Sequence, residues 1–123
     1  MTKTINKKIL IVEDDKDFLA ILQKKFTLNG FDIIVAENGE EAIEITEREK
    51  PDLILSDVLM PKMDGIAMAK KIRETNKNVP IMFLTNLKDD NAAERPSEFD
   101  YLIKSELRID DIVAKSKAKL GLK

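Results

Sequence analysis

The sequence predicts an α/β fold: a doubly wound, five-stranded parallel sheet with helices on both faces. Short β-branched apolar runs alternate with longer stretches whose apolar residues recur at helical spacing. Those short runs are apolar at successive positions, not at every second one, so both faces of each strand need cover. Cap and turn residues fall between the two kinds of segment, as at Asn29-Gly30 and Asn38.

Lys8–Val12 is the first run, too short for a helix and closed by three acids. Lys16–Leu28 follows, with Phe18, Ile21, Leu22 and Phe26 at helical spacing and Asn29-Gly30 as its stop. Phe31–Ala36 reads as a second strand. Asn38, with Glu41 three residues on, offers a capping-box-like start to a helix reaching Glu49. Asp52–Ser56 is the third strand. Ile66, Ala69 and Ile72 mark a third helix ending near Asn76. Val79–Leu84 and Phe99–Ile103 are the fourth and fifth strands, and Ile109–Leu120 is the last helix, with Ile109, Ile112, Val113 and Leu120 as its apolar set. Between strands four and five, Pro96 limits a further helix to about Asp89–Arg95, short or irregular, because proline inside a helix costs roughly 3 kcal/mol. Periodicity gives the class and not the strand order. Five strands with five helices suit the flavodoxin-like order 2-1-3-4-5.

Composition narrows the chemistry. The 123 residues suit one domain spanning 1–123, and 43% hydrophobic with 36% charged residues describes a soluble globular chain. A net charge of -2 gives no overall attraction to nucleic acid or anionic membrane. The absence of cysteine and histidine excludes disulfides, thiolate or imidazole metal ligands and histidine acid–base catalysis. Carboxylates, hydroxyls, amines and backbone remain. The N-terminus has no hydrophobic signal core and Ile9–Val12 is far too short to span a bilayer, so no membrane insertion and a cytoplasmic location are expected.

Open parallel sheets bind ligands outside the carboxyl ends of their strands. After strand one come Glu13, Asp14 and Asp15; after strand three Asp57; after strand four Thr85; after strand five Lys104. Singly, each has an ordinary explanation: an acid caps a helix, a threonine ends a strand, a lysine is solvated. Together they set acids, a hydroxyl and an amine on one rim. Crowded carboxylates repel, and an oxygen-only ligand set suits Mg²⁺.

These residues carry a resemblance. Asp57-Val58-Leu59-Met60-Pro61-Lys62-Met63-Asp64-Gly65 is similar to the D-x-x-M-P-x-x-D-G signature of response-regulator receiver domains. Ile9–Asp14 before it, Thr85, and Tyr101–Lys104 extend the likeness over nearly the whole chain. The resemblance implies a two-component signalling switch in which Asp57 accepts a phosphoryl group from a sensor histidine kinase or phosphotransfer protein. It implies Mg²⁺ held by Asp14, Asp57 and the backbone carbonyl of Leu59, with Glu13 acting through water. Lys104 would pair with phosphoryl oxygens and Thr85 would donate a hydrogen bond to one. Displacement of Thr85 would open space for Tyr101 to fill. Asp15 is expected to cap or lie on the surface, without touching the metal. Pro61 would hold the loop beside Asp57, Asp64-Gly65 would turn it into the third helix, and Met60 is equally well explained by packing.

Some residues depart from the family pattern. Ser105 follows Lys104 where proline is common, which would leave the lysine backbone less fixed. Asn86 stands where a smaller residue is frequent, and the stretch from Thr85 to Lys104 is short for the family. Leu59 and Leu87 lie two positions after Asp57 and Thr85, where the family tunes hydrolysis of the acyl phosphate. Leucine cannot order a water, so slow self-dephosphorylation is expected. Lys115, Lys117, Lys119 and Lys123 read as complements to a helix C-terminus more readily than as a docking patch.

The expected output is altered affinity for a downstream protein, from a stand-alone receiver of the chemotaxis type, monomeric or weakly dimeric on phosphorylation, with no direct nucleic-acid contact. The chain being a piece of a longer protein is the alternative. A pseudo-receiver that binds without phosphorylation and a Mg²⁺-dependent aspartyl phosphohydrolase are the rival functions. The hydrolase would want a second aspartate two positions after the nucleophile, where Leu59 stands. A dinucleotide site would want a G-x-G-x-x-G after strand one, which is missing.

Overall fold

The computed structural model describes residues 6–60, 62–85 and 96–122. In order these form β1 (Lys8–Val12), α1 (Lys16–Leu28), β2 (Asp32–Ala36), α2 (Gly39–Glu49), β3 (Leu53–Asp57), α3 (Gly65–Thr75), β4 (Ile81–Thr85), β5 (Asp100–Ile103), a 3₁₀ turn (Lys104–Glu106) and α4 (Ile109–Lys119). The strands make one parallel sheet in the order β2-β1-β3-β4-β5. That is the order the sequence suits. The short helix expected over Asp89–Arg95, with Asn86 and Leu87, and the constraint expected from Pro61, fall outside the described residues.

Alternation along the central strands builds two cores. Ile9 and Ile11 of β1, Leu53 and Leu55 of β3, and Met82 and Leu84 of β4 face α1 and α4, meeting Leu22, Phe26, Ile112 and Val113. Leu10, Val12, Ile54, Ile81 and Phe83 face the other way, onto Ala42 and Ile45 of α2 and Met68, Ala69 and Ile72 of α3. Each fully buried large apolar side chain contributes roughly 1.5–3 kcal/mol over leaving it exposed, so removal from water on both faces fixes the sheet between its helices. The edges are drier on one side only: β2 is largely half-buried, and in β5 only Leu102 is buried. Ile21, which shares the helical spacing of the apolar set, is 53% exposed. The stripe on α1 is narrower than its composition, running through Phe18, Leu22 and Phe26.

Helix starts follow side-chain chemistry. Asp15 Oδ1 accepts from the backbone N–H groups of Asp17 and Phe18 at 3.1 and 3.3 Å, the capping role expected of it. Asn38 Oδ1 accepts from Glu41 N at 2.9 Å, and Asp64 Oδ1 from Ala67 N at 2.8 Å. At α4 the arrangement inverts: Arg108 N–H donates back to Asp111 Oδ2 at 2.9 Å. The C-terminal lysines are engaged structurally, Lys117 with Asn29 Oδ1 at 3.1 Å and Lys119 with Asp100 at 2.7 Å.

Two boundaries bear on function. Asp57 and Thr85 are the last residues of β3 and β4, not the first residues after them. Their backbones are therefore held by the sheet, Asp57 opposite Leu84 and Thr85 opposite Ile103. Gly65 is also used differently from the turn reading. It opens α3 behind the Asp64 cap, and its N–H donates to Val58 O at 2.7 Å. A Cβ there would lie 2.4 Å from Asp57 O and 2.8 Å from Phe83 Cε1. Closeness to β3 and β4, and no unusual backbone angle, demands glycine.

Gly65→Ala should accordingly lose stability, by about 1–3 kcal/mol as for other overpacked sites. Urea denaturation should give a lower midpoint with an unchanged slope. A midpoint matching wild type would mean that the loop from Val58 to Asp64 yields freely.

Candidate functional site

The sheet register assembles the site. Val12 lies opposite Ser56, so the residues that follow, Glu13 and the strand-ending Asp57, become neighbours across β1 and β3. Glu13 stays in the sheet through its N–H, which donates to Ala36 O at 3.1 Å. Asp14 comes next and is exposed. One carboxylate oxygen from each of Glu13, Asp14 and Asp57 lies within 4.8 Å of the others.

Lys104 answers them from the start of the 3₁₀ turn that follows β5. Its side chain reaches across β4 and places Nζ 2.8 Å from Glu13 Oε1 and 3.3 Å from Asp57 Oδ2, with the lysine side chain only 12% exposed. The backbone after it winds into the 3₁₀ turn, and Leu107 N–H donates to Lys104 O at 3.5 Å. Ser105, where the family commonly has proline, sits inside that turn. Thr85 is buried at the end of β4, one step beyond the residue paired with Asp57. Leu59 donates its N–H to Asp57 Oδ1 at 3.4 Å while its side chain is 62% exposed. Met60 packs against the α2–α3 core, in accord with its packing explanation.

Glu13 is the most buried carboxylate of the group. Burial pushes its carboxyl above the usual range; the Lys104 hydrogen bond and charge and the Asp15 N–H pull it down, while the Asp57 charge adds to the rise. The net direction is upward. For Lys104, burial pulls the ammonium down, but the Glu13 hydrogen bond and the Asp57 and Glu13 charges outweigh it, and the net direction is again upward. An ion pair alone would lower the acid. Glu13 rises because desolvation penalises it and a second carboxylate shares its lysine. Both oxygens of Glu13 are occupied, Oε1 by Lys104 and Oε2 by the N–H groups of Asp14 and Asp15 at 3.1 and 3.2 Å.

Three carboxylates against one ammonium leave a formal charge of two negative at this rim, 3 minus 1, among the described residues. The donor set is all oxygen. It fits a hard divalent cation and offers nothing to a soft one.

Tyr101 lies outside this cluster. Its ring stacks on Phe83 with centroids 5.5 Å apart, and its hydroxyl donates to Pro96 O at 2.9 Å. Phe83 is the residue that closes on Gly65, so Tyr101 contacts the far side of the wall behind Asp57. One participant escaped the sequence reading altogether. Phe18, assigned to the apolar stripe of α1, presents its ring to Lys104, with Nζ 4.4 Å from the centroid. The available signal was its place just after the Asp15 cap, which turns the first turn of α1 toward the acids.

The likeness to known proteins agrees with this geometry. The family model for the response regulator receiver domain matches residues 9–117. The alkaline phosphatase synthesis transcriptional regulatory protein PhoP of Bacillus subtilis is 42% identical over 111 residues, covering 90% of this chain and 43% of that protein. The transcriptional regulatory protein CpxR of Escherichia coli K12 is 37% identical over 108 residues, covering 88% and 42%. The chain thus spans less than half the length of these two curated relatives. Among solved structures, the receiver domain of the Francisella response regulator 1452 superposes with a TM-score of 0.85 at 33% identity, covering 94% of this chain and 98% of that one. The response regulator TrrA of Thermotoga maritima, solved in complex with Mg(2+)-BeF, gives 0.82 at 32% identity, covering 93% and 98%. With most of its length inside the family model and the acid–lysine rim where the parallel sheet ends, the chain belongs to the response regulator receiver domains.

Proposed function

We propose that residues 1–123 act as one phosphorylation switch in a two-component relay, with Asp57 as phosphoacceptor. The observation that carries this reading is Lys104 Nζ held between Glu13 and Asp57, facing an acid cluster with an excess of negative charge. Asp57 sits on a rigid strand end with its side chain 15% exposed, reachable by a donor yet fixed in direction.

The residues divide the work. A carboxylate oxygen of Asp57 attacks the phosphorus of a phosphohistidine on a kinase or phosphotransfer protein; the O–P bond forms as the N–P bond breaks, and the electron pair leaves with the imidazole. Lys104 moves its pairing from the Asp57 carboxylate to the phosphoryl oxygens. Thr85 donates its hydroxyl to one of those oxygens. Asp14, Asp57 and the carbonyl of Leu59 would hold Mg²⁺. Glu13 would act through water, which suits a carboxylate whose two oxygens are already engaged. When bound, the ion supplies neutralisation of charge on the transferring group. Inward movement of Thr85 then frees room for Tyr101, altering the face around it. A groove lined by Met82, Tyr101, Leu102 and Lys115 adjoins that ring and offers the surface for a downstream protein. The setting is cytoplasmic; among the described residues no helix is long and apolar enough to cross a membrane.

Intact mass after incubation with Mg²⁺ and acetyl phosphate tests the reading. Wild type should gain one phosphate, while Asp57→Asn, or wild type with the metal chelated, should gain none. An unmodified wild type, even with a cognate kinase, would favour a pseudo-receiver, and turnover of many phosphates per chain would favour a hydrolase. The exposed Leu59 side chain offers no hydrogen bond to an attacking water. The phosphorylated protein should therefore decay slowly, and Leu59→Asn should shorten its lifetime. Equal decay rates would reject any control by Leu59.

A further inference from the structure

A closed circuit of contacts surrounds the Lys104 ammonium. Glu13 Oε1 accepts from it at 2.8 Å. Glu13 Oε2 accepts from the N–H of Asp15 at 3.2 Å, and Asp15 Oδ1 accepts from the N–H of Phe18 at 3.3 Å. The ring of Phe18 returns to the same ammonium, 4.4 Å from Nζ. One carboxylate thus fixes the lysine, and through the helix cap it also fixes the aromatic ring beneath the lysine.

We propose that Phe18 is a positioning residue for phosphoryl transfer, its ring face retaining the Lys104 ammonium at the acid cluster while that ammonium changes partners. The role rests on the phosphoacceptor reading of Asp57. Its physical basis is the exchange Lys104 must make. Before transfer, two of its three N–H donors have carboxylate partners, Glu13 and Asp57. As Asp57 becomes an acyl phosphate, its carboxylate loses charge and the ammonium must shift to the phosphoryl oxygens. A lysine on a flexible four-carbon stem can leave for water at that moment. The electron-rich face of Phe18 attracts the cation without presenting a competing acceptor, and it excludes water from that side. The attraction has little angular demand, so the ammonium slides between oxygen partners without leaving the ring. An apolar aliphatic side chain at this position of α1 would pack against the same core but would not attract the charge.

The same ring could merely pack on the lysine stem, and fluorination separates the two roles. Mono-, di- and trifluorinated phenylalanine at position 18 keep nearly the same volume while draining the ring face of negative potential. The rate constant for phosphorylation at saturating acetyl phosphate should fall stepwise along the series, with the half-saturating concentration and the urea midpoint unchanged. Phe18→Leu should lower that rate constant about three- to tenfold, the range of a partly desolvated cation–π contact, and Phe18→Tyr should restore it. In the unphosphorylated protein, the Lys104 Cε protons should show an upfield ring-current shift by NMR, kept in Phe18→Tyr and lost in Phe18→Leu. A rate constant flat across the fluorinated series would overturn the role of Phe18 alone, as would a fall that tracks the urea midpoint. A wild type that takes up no phosphate would overturn the phosphoacceptor reading and this role with it, and the intact NMR shift would identify that failure as one of chemistry and not of placement.

Discussion

Like charge held together at the ends of two adjacent strands is the constraint around which this molecule is arranged. Glu13 and Asp57 are neighbours because the register of β1 against β3 allows nothing else, and Asp14 completes the crowd. Left alone, that arrangement would raise the energy of the folded chain, since like charges at short range repel. Lys104 offsets part of it from the turn that follows β5, reaching across β4, which pairs with both β3 and β5 in fixed register. The remaining negative charge is what a receiver needs. In the proposed switch it would make a place for a cation and, with that cation, for a phosphoryl group.

Rigidity behind the site comes from packing. Gly65 brings the start of α3 against the carbonyl of Asp57 and the ring of Phe83, closer than any side chain would permit. The strand that carries Asp57 is thereby backed by a helix at one end and buried on both faces along its length. Mobility is wanted only in the side chains that exchange partners. The design separates a stiff backbone frame from a few polar tips that move, and positioning of this kind supplies much of what phosphoryl transfer requires.

Much of this was legible in the residues. The bounds of β1 and α1, the caps at Asp15 and Asn38, and the parallel α/β class follow from apolar period and cap chemistry, both local signals. The strand order needed the count of elements and the family signature, because pairing is not a local property. What escaped was also non-local. Ile21 shares the spacing of a buried residue, yet α1 meets the sheet along a narrower stripe. Gly65 looked like a turn residue; its reason is a contact with strands that are distant in sequence from it or separated from it by a loop. Phe18 looked like core because spacing identifies the buried side of a helix but cannot say that a lysine 86 positions later, 104 minus 18, ends above the ring. Asp57 and Thr85 stand inside their strands because a carboxylate or hydroxyl at a strand end still pairs through its backbone.

The energetics of Tyr101 show why a single phosphoryl group suffices for signalling in the proposed switch. Two of the contacts that hold it are the hydrogen bond to Pro96 O and the stack on Phe83. A neutral hydrogen bond contributes about 0.5–1.5 kcal/mol net, and an aromatic pair about 0.5–1.5 kcal/mol beyond its buried area. Together they amount to a few kcal/mol at most. A new charge-assisted hydrogen bond from Thr85 to a phosphoryl oxygen is worth about 1.5–3 kcal/mol, the same order. Had Tyr101 been deeply buried in a polar network, a phosphoryl group at the end of β3, two strands away, would not shift it. Had it been fully solvated, its position would carry no information. In the proposed switch, half-burial against Phe83 would leave two arrangements of Tyr101 close enough in free energy for the covalent state of Asp57 to decide between them.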